Sequence, residues 1–347
     1  MTEKMRAAYL LEKGKFEFRE IEKPEPGDEE ILIRVKHVGV CGADVEFFGD
    51  GACGGWVVDA PMILGHEPSG EVAGFGKNVT GFEVGDKVVV EPGEPCWDCE
   101  YCRSGHYNLC PDVQFKGVPG YDGAFREYMT ANANLVYKLP EGVGTLEGAL
   151  VEPLAVGFNA VAQSEAKIGQ SATILGSGCI GLMVLLALRA QGIREIYVVD
   201  AIAKRLEKAK ELGASEVIDI TKENAADAVA RLTGGAGTDL VYEVTGNDKA
   251  TLQTVELAKK GGVITLIGLS TAASMPFNVN GVIGKELTIR SNFRYRNQFP
   301  IVLGAIKDGL VDLKGVISDV FSFDEVQAGL ERNTHQKADV IKEVIEF

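Results

Sequence analysis

Apolar and polar positions change rhythm twice along the 347 residues of this chain. Up to about Gly157 the apolar stretches are short and are cut by glycine and proline, as in residues 31–35, 70–73, 87–91 and 124–128. Short apolar pieces between turn formers predict a β-rich region. From about Ser171 to Asn292 the rhythm becomes strand, helix, strand, helix. Strands are expected at 172–175, 195–199, 216–219, 239–244, 263–267 and 287–291, and helices at 203–212, 225–232 and 249–259. Alternation of this kind builds a parallel sheet with helices on both faces, an α/β architecture. The residues after Asn292 are mixed, and the pattern leaves open whether they form a third unit or rejoin the first.

The second region opens on a strand that runs into Gly176-Ser-Gly178-Cys-Ile-Gly181 and then into an apolar helix. Glycine at the first position permits a tight turn, at the second lets backbone approach a pyrophosphate, and at the third allows close helix–strand packing. The helix N-terminus then offers free N–H groups to the phosphates. The next strand ends on Asp200, nineteen residues past Gly181, where a carboxylate can accept hydrogen bonds from both adenosine ribose hydroxyls. Its charge opposes a 2′-phosphate, so NAD is expected over NADP; Arg205 could hold a phosphate, but the carboxylate is nearer.

Seven cysteines are present, and four of them fall within fifteen residues: Cys96, Cys99, Cys102 and Cys110. Four thiolates spaced in this way can close a tetrahedron around zinc and leave no position for substrate, which makes such a zinc structural. An iron–sulfur cluster is the competing occupant. A second, dispersed set joins Cys41, His66 and Glu152. Thiolate, imidazole and carboxylate together can leave a coordination position open, as a catalytic zinc requires. No spacing rule unites residues so far apart, and each has an ordinary structural reading.

Composition removes other classes. Hydrophobic residues at 46% and charged residues at 24% fit a globular protein rather than a disordered one. A net charge of −15 repels nucleic acid and anionic membranes. The most apolar run, residues 179–188, is too short to cross a bilayer, so a cytoplasmic protein without nucleic-acid or membrane partners is expected.

These motifs together resemble the zinc-containing medium-chain alcohol dehydrogenases along essentially the whole chain. The resemblance rests on Gly65-His66-Glu67-Pro-Ser-Gly70, Gly85-Asp86, the four-cysteine lobe and the Gly176–Gly181 turn. It is nearest to the sorbitol and xylitol dehydrogenases, through Glu91-Pro-Gly93, Tyr107-Asn-Leu-Cys110, Val151-Glu152-Pro153 and Phe293-Arg294-Tyr295. It implies a GroES-like β-barrel catalytic domain over 1–157, with the structural-zinc lobe at about 92–112. A Rossmann NAD-binding domain over 158–292 and a return to the catalytic domain over 293–347 complete the expected order. By the same match Cys41, His66 and Glu67 hold a catalytic zinc with a water. Glu152 lies beside it or ligates it and moves the proton, and Asp44 orients the histidine. Phe47, Phe115, Glu152, Arg294 and Tyr295 match substrate-binding positions. Gly176, Gly178, Ile180, Gly181, Asp200, Arg205, Ile267, Gly268, Leu269, Asn292 and Phe293 match the dinucleotide site. The implied reaction is NAD-linked oxidation of a secondary hydroxyl of a polyol, with two zinc ions per chain. The implied assembly is a homo-oligomer, tetramer or dimer.

Three positions depart from that pattern. Ala43 stands where a proton-relaying Ser or Thr is usual, Glu46 where His is frequent, and Phe47 where Tyr is common. These leave the preferred alcohol open, and Arg294 with Arg296 keeps a phosphorylated polyol in view. A threonine- or butanediol-type dehydrogenase and a non-catalytic NAD-binding relative are the alternatives.

Overall fold

In the computed structural model, which describes residues 3–270, 272 and 274–347, the chain divides into two compact units. The first comprises Met1–Glu152, Phe299–Lys307 and Ile317–Phe347, and the second Pro153–Gln298 and Asp308–Val316.

The first unit is built on a seven-stranded sheet. Strands Val136–Lys138, Lys87–Val90, Glu67–Phe75, Glu30–Gly39, Glu343–Glu346 and Asp319–Ser322 follow one another across it, and Tyr128–Asn132 pairs with Glu30–Gly39. Strand Glu30–Gly39 is the hub, because Glu67–Phe75, Tyr128–Asn132 and Glu343–Glu346 all pair with it antiparallel. Its residues Ile31, Ile33, Val35 and Val38 are fully buried and join a core with Ile63, Leu64, Phe125 and Met129. The C-terminal residues therefore rejoin the first unit, with Val344 opposite Gly39 and Ile345 opposite Val38.

One expected strand is displaced. Residues 124–127 are not in a strand, because their amides are spent elsewhere: Ala124 N on Gly65 O at 2.8 Å, Phe125 N on Leu64 O at 3.0 Å and Glu127 N on Arg6 O at 3.1 Å. Pairing starts at Tyr128.

A buried carboxylate ties the loop lobe to this sheet. Glu91 accepts from Tyr107 Oη at 2.7 Å and from Tyr137 Oη at 3.2 Å, and Tyr137 stacks on Phe299 at 5.2 Å. Burial pushes its carboxyl up to about 7 against the two tyrosine hydroxyls, which pull it down. A carboxyl whose folded pKa exceeds its unfolded one favours the fold when protonated. Stability is thus full below about 4.5, falls as pH rises towards 7, and is flat above that. Glu91→Gln is expected to remove this slope. Denaturant titrations at about pH 5 and about pH 8 should then give a smaller stability loss in the variant than in the parent, by at most ~3 kcal/mol.

The second unit holds a six-stranded sheet, all parallel. The strand order is Glu216–Asp219, Glu195–Asp200, Ser171–Leu175, Thr238–Glu243, Ala258–Leu266 and Thr288–Ser291. Numbered by appearance the order reads 3-2-1-4-5-6, the doubly wound dinucleotide-binding topology. The central strand Ser171–Leu175 is buried at all five positions, as a strand covered on both faces must be, while the edge strand Thr288–Ser291 is exposed at all four. Asn224 and Asn247 cap helices Ala225–Leu232 and Asp248–Leu257, each side chain accepting two backbone N–H groups of the first turn. The second of these helices ends two residues earlier than the pattern suggested, since Ala258 already begins the strand Ala258–Leu266.

The units also meet the chain at other points than expected. Residues 293–298 stay with the second unit, where Asn159 Nδ2 donates to Asn292 Oδ1 at 2.6 Å and to Arg294 O at 3.2 Å. The chain returns to the first unit at Phe299 rather than at 293, and leaves it again for Asp308–Val316. At the other boundary Pro153–Gly157 goes with the second unit.

Candidate active site

Two groups of metal-ligating side chains form in the first unit. In one, Cys96, Cys99, Cys102 and Cys110 bring their sulfurs within 4.8 Å of one another. Helix Glu100–Arg103 and the turn Tyr107–Leu109 carry the loop that does this. Backbone N–H groups aim at the sulfurs, Cys96 N at Cys110 Sγ (3.4 Å) and Cys99 N at Cys96 Sγ (3.3 Å). Sulfur separations of 3.4 Å (Cys99–Cys102) and 3.9 Å (Cys96–Cys102) suit a tetrahedron with Zn–S bonds of roughly 2.3 Å. Without a cation the four thiols cannot ionise together. Backbone donors hold Cys96 down to about 7, while burial pushes Cys102 up to about 12. A divalent ion removes that conflict, and the donor set fits zinc.

The other group is Cys41, His66 and Glu67, whose ligating atoms also lie within 4.8 Å of one another. Strand pairing assembles it. Cys41 follows strand Glu30–Gly39 and precedes helix Gly42–Asp50, and His66 and Glu67 enter strand Glu67–Phe75, with Gly39 opposite Glu67. Burial pushes the Cys41 thiol well up, and Glu67, Asp44 and Glu152 add to this while Lys342 opposes it. His66 Nδ1 is buried without a hydrogen-bond partner. A thiol that burial keeps neutral and a buried ring nitrogen left over are what a cation would convert into ligands, so the set fits a metal.

The remaining candidates fall into place unevenly. Asp44 is fully buried, but its carboxylate does not bond the imidazole. Its oxygens accept Cys41 N at 2.9 Å and Gly65 N at 3.0 Å, and stand 3.8 Å from His66 Nδ1. It therefore fixes the two ligand-bearing backbone segments rather than the ring. Glu152 sits in the first turn of helix Val151–Gln163, buried, outside the three-residue cluster but close enough to act electrostatically on Cys41. Phe115 packs its ring 5.4 Å from that of His66. Phe47, at 1% exposure, lies in the hydrophobic core, because Asp44, Val45, Phe47 and Phe48 form the inner face of helix Gly42–Asp50.

In the second unit the glycine turn has the geometry its sequence calls for. Gly176 adopts φ 106°, and a Cβ on Gly181 would come within 2.0 Å of Gly176 O, so only glycine lets the helix Cys179–Ala190 start this close to the strand. Gly176, Gly178, Ile180, Gly181, Asp200 and Arg205 line one cavity of about 380 Å³. Gly176 and Asp200 also line an adjoining one of about 490 Å³, with Ile220, Asn224, Thr245 and Lys249. Those last four were not singled out by the sequence, since they come from two other strand ends, after Glu216–Asp219 and Thr238–Glu243, and carry no motif. Asp200 is anchored by four donors: Ser177 N (2.7 Å) and Ser177 Oγ (2.8 Å) on one oxygen, Ala201 N (2.7 Å) and Ile202 N (3.0 Å) on the other. Ile267, Gly268 and Leu269 follow the strand Ala258–Leu266, and Asn292 and Phe293 follow Thr288–Ser291. None of these five lines either cavity; Leu269 and Phe293 are exposed, and Asn292 is bonded to Asn159. Arg294 holds φ 54° with its guanidinium 4.8 Å over the Phe293 ring, and Tyr295 is buried.

Comparison with known proteins gives the same answer as the geometry. Residues 27–141 match the alcohol dehydrogenase GroES-like domain family, and residues 179–308 the zinc-binding dehydrogenase family. The sorbitol dehydrogenase of Bacillus subtilis (strain 168) is 36% identical over 345 residues, covering 99% of this chain and 98% of that protein. This chain belongs to the zinc-containing medium-chain alcohol dehydrogenases. The sorbitol dehydrogenase of Homo sapiens is 35% identical over 310 residues, 89% of this dehydrogenase and 87% of the human protein. A short chain alcohol dehydrogenase of Escherichia coli CFT073, solved with the cofactor NADH, superposes with a TM-score of 0.92 at 27% identity over 99% of both chains. Among the described residues no helix of the dehydrogenase is long and apolar enough to cross a membrane.

Proposed function

We propose that this dehydrogenase oxidises a secondary hydroxyl of a polyol of the sorbitol, iditol or xylitol type to the ketose, reversibly and with NAD. The observation that carries the reading is the pair of unlike metal groups in one chain, one of four cysteines and one of Cys41, His66 and Glu67. The relatives named sorbitol dehydrogenase supply the substrate class. Zinc held by Cys41, His66 and Glu67 would supply Lewis acidity, and NAD held at the glycine turn would supply the hydride acceptor.

The protein's own part is to place and to move protons. Asp44 holds Cys41 and the segment that carries His66 in register by accepting Cys41 N and Gly65 N. Glu152 takes the hydroxyl proton, the task that a carboxylate beside Cys41 suits in a chain with Ala43 in place of a hydroxyl. Asp200 receives the adenosine ribose, and the free N–H groups of helix Cys179–Ala190 receive the pyrophosphate. Arg294 and Tyr295 contribute to polyol recognition. The open edge strand Thr288–Ser291 suits pairing with a second copy and supports a homo-oligomer; the reading places the enzyme in the cytoplasm.

The test is NAD reduction over a polyol panel, run beside metal analysis. Two zinc ions per chain are expected. Mild chelation should remove one of them together with activity, while the four-cysteine zinc stays. A single zinc, iron, or activity on none of the polyols overturns the reading.

A further inference from the structure

Behind the mixed metal group lies a buried lysine that none of the motifs contains. Lys342 is 2% exposed, and its Nζ donates to Val40 O at 2.8 Å and forms an ion pair with Glu67 Oε2. Glu67 is itself 1% exposed. Removing two charges from water is costly, so a pair this deep is held by its surroundings. The surroundings here are specific. Gly39 stands opposite Glu67 in one strand pair and opposite Val344 in the other. A Cβ on Gly39 would come within 2.0 Å of Glu67 Oε2, 2.9 Å of Lys342 Cε and 3.1 Å of Ala149 O. The missing side chain is thus a notch in the central strand, and the ion pair fills it. Val40, whose carbonyl Lys342 binds, is the residue before Cys41. One ammonium therefore touches both arms of the metal group.

We propose that Lys342 is a positioning residue that limits how far Glu67 enters the coordination of the metal. The ion pair keeps one carboxylate oxygen in the Gly39 notch, neutralises its charge, and leaves Cys41 and His66 as the strong ligands. The metal group is then less anionic than its residues suggest, and a position stays open for the substrate oxygen. Without the ammonium, the buried carboxylate has a metal ion as its one neutralising partner and closes onto it. The inference rests on the reading that Cys41, His66 and Glu67 hold zinc.

The test reads metal binding rather than turnover, on the full-length protein. Lys342→Gln keeps a donor for Val40 O and removes the charge. Its open-site zinc is expected to bind at least about tenfold more tightly. With cobalt at that site, the visible absorption is expected to weaken and shift as a carboxylate is added to the coordination. Lys342→Arg should restore the parental spectrum. In a Glu67→Gln background, Lys342→Gln should change neither quantity, because the lysine acts through Glu67. The four-cysteine zinc and the melting temperature report the fold in each variant. Gly39→Ala attacks the same contact from the other side and should give the same spectral change, which keeps the test decisive if Lys342→Gln does not fold. An unchanged zinc affinity and cobalt spectrum in folded Lys342→Gln or Gly39→Ala overturns the proposal, and so does a change that persists without Glu67. A parental protein that binds one zinc would instead overturn the function assigned to the site. The two failures are therefore distinguishable.

Discussion

His66→Ala is expected to lower turnover on a polyol by on the order of a thousandfold and to leave one zinc per chain. The argument starts from the three-ligand group. Cys41, His66 and Glu67 converge within 4.8 Å, and removing the imidazole leaves two groups that carry like charge when ionised. Burial already pushes the Cys41 thiol well up, and Glu67, Asp44 and Glu152 reinforce this, so the remaining residues disfavour the thiolate that a metal needs. The site should lose its metal rather than hold it loosely. The four cysteines form a separate group on their own loop and are untouched, so the second zinc remains as an internal standard. Asp44 still binds Cys41 N and Gly65 N, so the backbone frame should survive and melting should change little. NAD binding should also persist, because the glycine turn and Asp200 belong to the second unit. Zinc content, turnover and NAD titration on one preparation check the three statements together. Two zincs in folded His66→Ala, or turnover within about tenfold of the parent, would remove His66 from the metal site.

What could be read from the sequence was what the chain places next to itself. The four cysteines fall in fifteen residues, and the glycine turn with its strand and helix is contiguous, so local spacing announces both. Asp200 is legible because the helix Cys179–Ala190 and the strand Glu195–Asp200 after it fix its distance from Gly181. Cys41 and His66 are distant in sequence and meet through the pairing of strands Glu30–Gly39 and Glu67–Phe75, and only their donor chemistry and a family resemblance linked them beforehand. Lys342 was invisible for the same reason in a stronger form. It reaches Glu67 because strand Glu343–Glu346 pairs with the far end of Glu30–Gly39, a register that the mixed C-terminal pattern does not encode. Phe47 was grouped with substrate positions by likeness to a substrate-contacting tyrosine, while the helical period of Gly42–Asp50 turns it inward with Val45 and Phe48. The return point was misjudged because Asn159 holds Asn292 and the Arg294 carbonyl, a tertiary contact that neither composition nor periodicity reports.

Asp200→Ser is expected to raise the preference for NADP over NAD by about tenfold to a hundredfold, chiefly by weakening NAD. A carboxylate at the end of strand Glu195–Asp200, lining both cavities of the second unit, places a negative charge where a 2′-phosphate would have to sit. Removing the charge removes that repulsion. It also removes an anchor, since Asp200 collects Ser177 N, Ser177 Oγ, Ala201 N and Ile202 N, and a serine hydroxyl can replace only part of that set. The turn should therefore loosen, and the KM for NAD should rise more than the KM for NADP falls. Arg205 is well placed to receive the phosphate once the carboxylate is gone, because its Nη1 lies 3.6 Å from where a Cβ on Gly178 would stand. Ser177→Ala separates the two effects. It deletes one donor to Asp200 and keeps the charge, so it should raise the KM for NAD modestly and leave the cofactor preference where it was. If Ser177→Ala shifts the preference as far as Asp200→Ser does, the geometry of the turn, and not charge, sets the choice. An unmodified enzyme that uses NADP as well as NAD would dispose of the role given to Asp200 altogether.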